Sequence, residues 1–213
     1  MKSEDGVVKF RQDFNMKSPL DSNIIRELNG WRNTLYQFKL IGQDESKYGG
    51  YGYGNVSQKL SQDYFLKNKN KFLITGTQTG DLAELTESHY TTVLEYHPGK
   101  NLVIVEGPIK ASSESMTHGT IYDLDRDIRF VFHAHSPEIW KSSKKLEIPI
   151  TSEDVEYGTP EMAEEVDRLF RESKAKDKKI FSMGGHEDGI ITFGNSSYEA
   201  GGTMLYYLFK ARS

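Results

Sequence analysis

No cysteine occurs among the 213 residues. That absence excludes disulfides, a thiolate nucleophile and any Cys-ligated zinc or iron–sulfur cluster, so a metal here has to be held by His and carboxylate side chains. Also missing is any apolar stretch of the ~18 residues that a membrane span needs. The first residues, Met1-Lys2-Ser3-Glu4-Asp5-Gly6, lack the apolar core of a secretory signal. A soluble, cytoplasmic protein without a membrane partner is expected. Basic residues are not in excess: 27 Lys and Arg stand against 31 Asp and Glu, a net charge of −4. Nothing in that balance argues for nucleic acid as a partner. Internal repeats and low-complexity tracts are absent too. What remains is 36% hydrophobic and 27% charged, and a chain of this length suits one domain with a sizeable core.

Residues 1–17 are polar and expected to be partly disordered, ahead of a single mixed α/β domain over 18–213. Between Ser18 and Gly42, the residues Ile24, Ile25, Leu28, Trp31, Leu35, Phe38 and Leu40 recur at helical spacing. They predict a helix, or a helix pair interrupted near Asn29-Gly30. The densest glycine segment follows, Tyr48-Gly49-Gly50-Tyr51-Gly52-Tyr53-Gly54-Asn55. The apolar runs Phe72–Thr75 and Leu102–Val105 read as strands. Ser112-Ser113-Glu114 reads as a serine cap with an acidic first turn, opening a helix that runs towards Leu124 and stops at Asp125-Arg126-Asp127. Thr159-Pro160 marks another helix start, with Met162, Val166, Leu169 and Phe170 as its buried stripe. Ile180–Met183 and Ile190–Phe193 read as short strands, with His186 in the glycine-rich turn between them.

The chemistry is concentrated in the run Arg129-Phe130-Val131-Phe132-His133-Ala134-His135. A strand alternates faces with period 2, so His133 and His135 point the same way at the end of a buried run. Two desolvated imidazoles side by side are costly unless they share a partner, and a metal is such a partner. A catalytic zinc takes three protein ligands and keeps one position open; His186, among Gly184, Gly185 and Gly189, is the best third ligand. Glu114 reads either as a helix-terminal carboxylate favoured by the macrodipole or as a metal-side acid/base. His118, one turn later, is expected to pack. Small polar clusters at Gly54-Asn55, Thr75–Gly80 and Ser112-Ser113 suit anion binding through N–H groups and hydroxyls. Lys67, Lys69, Lys71, Lys141, Lys144 and Lys145 read as solvated faces that could at most steer an anionic substrate.

The ordered set Gly54-Asn55-Val56-Ser57, Leu73-Ile74-Thr75-Gly76-Thr77, Ser112-Ser113-Glu114, Thr117-His118, His133-Ala134-His135, Tyr157-Gly158-Thr159-Pro160 and Gly185-His186-Glu187-Asp188-Gly189 resembles the class II aldolase/adducin family. That family includes fuculose- and rhamnulose-phosphate aldolases, ribulose-phosphate epimerase and methylthioribulose-phosphate dehydratase. The resemblance spans about residues 20–207. It implies a three-layer α/β/α sandwich around a central, mainly antiparallel sheet, and a Zn²⁺ (or Mn²⁺ or Co²⁺) on His133, His135 and His186. It further implies Glu114 as acid/base, and a phosphate pocket at Asn55, Thr75, Gly76, Thr77, Ser112 and Ser113. In this chain Thr75-Gly76-Thr77-Gln78-Thr79-Gly80 replaces the family's usual Thr-Pro-Ser/Thr-Gly. The family's aldolases also use a tyrosine acid, for which Tyr206 and Tyr207 are candidates by name only. The implied activity is that of a zinc-dependent aldolase-type lyase acting on a sugar, sugar-phosphate or keto substrate, in a homo-oligomer, by expectation a tetramer. Epimerase or dehydratase chemistry on a ketose phosphate, and a non-catalytic adducin-like scaffold, are the alternatives.

Overall fold

The computed structural model describes residues 8–60 and 71–213. Its strands are β1 (Arg11–Met16), β2 (Gly42–Gln43), β3 (Gly52–Tyr53), β4 (Asn55–Lys59), β5 (Phe72–Thr75), β6 (Tyr90–His97), β7 (Leu102–Gly107), β8 (Phe130–His135), β9 (Ile180–Ser182) and β10 (Gly189–Gly194). Its α-helices are α1 (Ser22–Gln37), α2 (Ser115–Leu124), α3 (Pro137–Ser142), α4 (Pro160–Glu172), α5 (Ala175–Lys178) and α6 (Ser197–Arg212). Eight strands form one sheet in the order β1-β7-β6-β5-β4-β8-β10-β9, while β2 and β3 pair separately. Every neighbouring pair in the large sheet is antiparallel except β1 with β7.

Alternation along the strands divides the interior into two cores. Val56, Leu73, Phe130, Phe132, Ala134 and Ile190 face one way and pack with Ile25, Leu28, Leu35, Ile139, Met204 and Leu208 of α1, α3 and α6. Phe72, Ile74, Val131, Ile191 and Phe193 face the other way, against Met116, Ile121, Met162, Val166, Leu169 and Ala175 of α2, α4 and α5. The result is the expected α/β/α sandwich. Burying both faces of a sheet under amphipathic helices removes most of its apolar area from water, at roughly 25 cal/mol per Å². Among the described residues, no helix is long and apolar enough to cross a membrane.

Two local expectations need correction, and a third is decided between its alternatives. Residues 11–16 are not disordered: β1 pairs in parallel with β7, from Arg11 opposite Leu102 to Met16 opposite Gly107. An edge strand is held by its backbone ladder and tolerates the polar sequence RQDFNM, so polarity was the wrong signal there. Helix α1 is continuous through Asn29-Gly30; a Cβ at Gly30 would meet nothing within 4 Å, and the stripe Ile25, Leu28, Leu35 outweighs the roughly 1 kcal/mol that a helical glycine costs. Helix α4 starts as expected, with Thr159 Oγ1 accepting from Met162 N–H at 3.3 Å. Helix α2, by contrast, begins one residue beyond Glu114 and carries no side-chain cap. The expectations for residues 1–7, Lys67 and Lys69 lie outside the described residues.

Candidate metal centre

The face of β8 that carries Val131 also carries His133 and His135, at the strand's C-terminal end. His133 is flanked by Asn55 of β4 on one side and Ile191 of β10 on the other. The turn between β9 and β10 brings His186 to the same point. In that turn Gly189 N–H donates to His186 O, and Met183 N–H to Gly189 O, both at 2.9 Å. A Cβ on Gly184 or Gly185 would collide with the backbone carbonyls of Thr151 and Val155. Only glycine lets the turn lie that close and aim its histidine inwards.

One ligand atom from each of His133, His135 and His186 falls within 4.8 Å of the others. A tetrahedral ion with metal–nitrogen bonds of 2.0–2.1 Å holds its ligand atoms about 3.4 Å apart, a contraction that small side-chain rotations supply. The three rings are 2%, 2% and 6% exposed. Nδ1 of His133 donates to Ile190 O at 3.2 Å, which fixes the tautomer and leaves Nε2 for a ligand bond. Burial, and then the neighbouring His135, His186 and His118, hold the His133 imidazole well below its ordinary pKa. It is therefore in the neutral form that coordinates metal. The donor set fits a divalent ion.

Glu114 occupies the position before α2, yet its side chain caps nothing there. Its carboxylate is instead 3.5 Å from His186 Nδ1 and 1% exposed. The serine cap expected at this point is also different in detail. Ser112 Oγ accepts from Glu114 N–H at 3.4 Å, and Ser115 Oγ donates to Ser112 O at 2.7 Å, so the serines shape the turn that presents Glu114. His118 packs as expected. Its Nδ1 is 2.7 Å from Ser57 Oγ, which is also 2.8 Å from Tyr122 Oη, and burial pushes its pKa down to about 3.

Asn55, Gly76, Thr77, Ser112 and Ser113 line one cavity together with Glu114 and the three histidines. Ser112 N–H donates to Thr75 O at 3.3 Å and Thr77 N–H to Lys110 O at 2.9 Å, stitching the two halves of this lining together. Arg32, 1% exposed, donates to the carbonyls of Thr79 at 2.9 Å and Ala83 at 3.0 Å and so anchors the loop behind them. Thr75 does not belong to the cavity. Its Oγ1 accepts from Val56 N–H at 3.2 Å, because the β5 register turns that side chain into the sheet. Tyr206 and Tyr207 are also displaced from the site within one chain. They sit on α6, where Tyr207 joins the core built on Phe130, Phe132 and Ala134, across the sheet from the histidines. The aromatic neighbours of the site are others. Tyr157 stacks on His186 at 4.5 Å, and Tyr48 and Tyr53 lie 4.4 and 5.2 Å from His135. Only Tyr157 had a sequence signal, at the head of Tyr-Gly-Thr-Pro; the other two looked like turn residues among glycines.

Comparison with known proteins bears on the fold and the family. Residues 43–212 match the family described as the Class II Aldolase and Adducin N-terminal domain. Among solved structures, an L-fuculose 1-phosphate aldolase is similar, with a TM-score of 0.66 at 19% identity over 91% of this chain and 85% of that one. A sugar-phosphate aldolase from Thermotoga maritima gives a TM-score of 0.65 at 17% identity, over 89% and 92%. The N-terminal class II aldolase domain of a conserved protein from Thermoplasma acidophilum gives 0.60 at 14%, over 92% and 95%. Identities this low establish a common fold and nothing about a common reaction.

Proposed function

The chain belongs to the class II aldolase and adducin family, and from that premise we propose that it is a divalent-metal-dependent, aldolase-type lyase acting on a sugar or sugar-phosphate substrate. The observation that carries this reading is the buried Glu114 carboxylate, 3.5 Å from His186 Nδ1, in the same cavity as the other two histidines and the small polar lining. A scaffold has no use for a carboxylate held beside three imidazoles out of water, whereas proton transfer needs one.

His133, His135 and His186 would hold the ion, which we take to be Zn²⁺ or else Mn²⁺ or Co²⁺. When bound it supplies Lewis-acid polarisation of a substrate carbonyl and stabilises the negative charge that develops beside it. As the carbon–carbon bond breaks and the departing carbinol becomes an aldehyde, Glu114 takes its hydroxyl proton and delivers it to the carbon that keeps the bond's electron pair, and bond formation reverses both transfers; a positioned general base contributes about 10²–10⁴-fold. Asn55, Gly76, Thr77, Ser112 and Ser113 hold the anionic end of the substrate through amide and hydroxyl donors. Burial of the site keeps bulk water from protonating the carbanionic carbon. We expect the protein to act as a cytoplasmic homotetramer, which light scattering of the purified chain checks for assembly.

The test is a screen of ketose phosphates and free 2-keto acids with added Zn²⁺, Mn²⁺ or Co²⁺, following aldehyde release. Aldehyde formation with at least one substrate is expected. Stereochemical inversion or loss of water without aldehyde would replace the lyase reading with epimerase or dehydratase chemistry. A chain purified without chelator and carrying no divalent ion would instead favour a non-catalytic domain.

A further inference from the structure

His135 is enclosed by a single stretch of chain. Its backbone N–H donates to Leu40 O at 2.9 Å. The Tyr48 ring stands edge-on to its imidazole, with centroids 4.4 Å apart at 72°, and Tyr53 adds a second ring at 5.2 Å. Residues 40–53 are thus wrapped around one candidate ligand. The wrap is fastened at a distant point in sequence. Tyr48 Oη donates to Asp188 Oδ2 at 2.7 Å, a pair 140 residues apart.

Asp188 is well placed for such a fastening. It lies two residues beyond His186, and its carbonyl accepts the N–H of Ser136, the residue after His135, at 2.8 Å. It therefore touches the turn that carries one histidine, the strand end that carries another, and the loop that covers the second. Asp188 is 5% exposed. Both partners also have left-handed backbones, with φ +51° at Tyr48 and +62° at Asp188. Residues other than glycine persist there when the surrounding contacts over-determine them, and such positions cluster at ligand clamps.

We propose that Tyr48 and Asp188 are positioning residues of the metal centre, their hydrogen bond latching residues 40–53 to the His186 turn and holding the His135 imidazole in its ligating orientation. This rests on the three histidines being a metal site. An imidazole turns about its own side-chain bonds unless something bars it. The Tyr48 ring bars it only while the loop stays in place, and the loop stays in place through Asp188. Partners that orient a ligand in this way are worth about 10–100-fold in metal affinity.

The full chain, loaded with Zn²⁺ and titrated with a competing chelator, tests the latch. Tyr48→Phe keeps the ring and removes the hydroxyl; Asp188→Ala removes the acceptor; Asp188→Asn keeps an acceptor. The first two are expected to weaken Zn²⁺ binding by about tenfold or more, and their combination no further than the weaker single variant, since both break one bond. Asp188→Asn is expected to recover most of the affinity. The absorption spectrum of the Co²⁺-loaded protein should shift in Tyr48→Phe, a change in ligand geometry that a loss of folding stability alone would not produce. Affinity within about twofold of the unaltered chain for Tyr48→Phe, or losses that add in the double variant, would overturn the latch. Should Asp188→Ala fail to fold, Tyr48→Phe decides alone through its affinity and Co²⁺ spectrum. Absence of Zn²⁺ binding by the unaltered chain would remove the metal site and the latch together, whereas intact binding in every variant removes the latch only.

Discussion

The two faces of β8 are equally dry and chemically opposite. Phe130, Phe132 and Ala134 are 6%, 0% and 0% exposed, and His133 and His135 are each 2% exposed. One face is covered by α6 and packs as ordinary core. The other places imidazoles, a carboxylate and hydroxyls out of water, where polar groups are costly unless they are partnered. Consecutive residues on one strand thus do opposite work: the apolar face holds the strand in register, and that register fixes where the polar face puts its donors. Register is strict here, since a slip of one residue would exchange the two faces. If this division is real, changes on one face should move stability and changes on the other should move chemistry.

The largest separation is expected from Glu114→Gln. The amide fills the same volume but cannot take a proton, so proton exchange at the substrate carbon should fall about 10²–10⁴-fold while Zn²⁺ stays bound. Exchange at the unaltered rate would show that Glu114 has been given the wrong role. Phe132→Ala should do the reverse. Truncating a fully buried aromatic costs about 3–5 kcal/mol of folding stability, measured by urea unfolding, whereas the chains that remain folded should turn over normally. A fall in turnover per folded chain as large as that of Glu114→Gln would mean that the two faces are not separable.

This division also accounts for what could be read from sequence. The β8 run was legible because both faces are buried, leaving an uninterrupted apolar and imidazole pattern. His186 was legible because Gly184, Gly185 and Gly189 announce a turn, and Thr159-Pro160 because cap chemistry is local. Strand β1 was not, since a polar edge strand is specified by its partner's backbone. Helix α6 was hidden by Gly201 and Gly202; Gly201 is small because a Cβ there would collide with the Trp31 ring, a contact no local pattern encodes. The facing of Thr75 was not legible, since the local pattern of small polar residues does not encode that its hydroxyl accepts from Val56 N–H. Tyr48 was invisible for the same kind of reason: its partners, His135 and Asp188, are far along the chain.

Metal removal should sharpen the comparison further. An ion that binds only the folded chain stabilises it by RT ln(1 + [L]/Kd), about 2.7 kcal/mol at a hundredfold excess over Kd. Stripping with a chelator should lower the unfolding midpoint, and re-adding Zn²⁺ should restore it. The increment should vanish in His133→Ala and persist in Phe132→Ala. An unaltered midpoint on stripping would count against a metal on the polar face.

The smallest expected effect concerns His118, which lies beneath the polar face without belonging to the cavity. Its folded-state pKa of about 3, against 6.5 for an ordinary histidine, means that the unfolded chain binds a proton there that the folded chain refuses. Between those two values the unfolded state holds more protons, so stability rises with pH across the window and falls on acidification. The contribution is complete above about pH 6.5 and is lost progressively towards pH 3, at up to about 1.4 kcal/mol per unit. From pH 7 to pH 5 the loss at this one residue should be about 2 kcal/mol. In His118→Gln nothing titrates at that position while an amide remains to meet Ser57, so its urea midpoints at the two pH values should lie closer together than those of the unaltered chain. Equal pH dependence in the two proteins would show that His118 is not the source of the acid sensitivity.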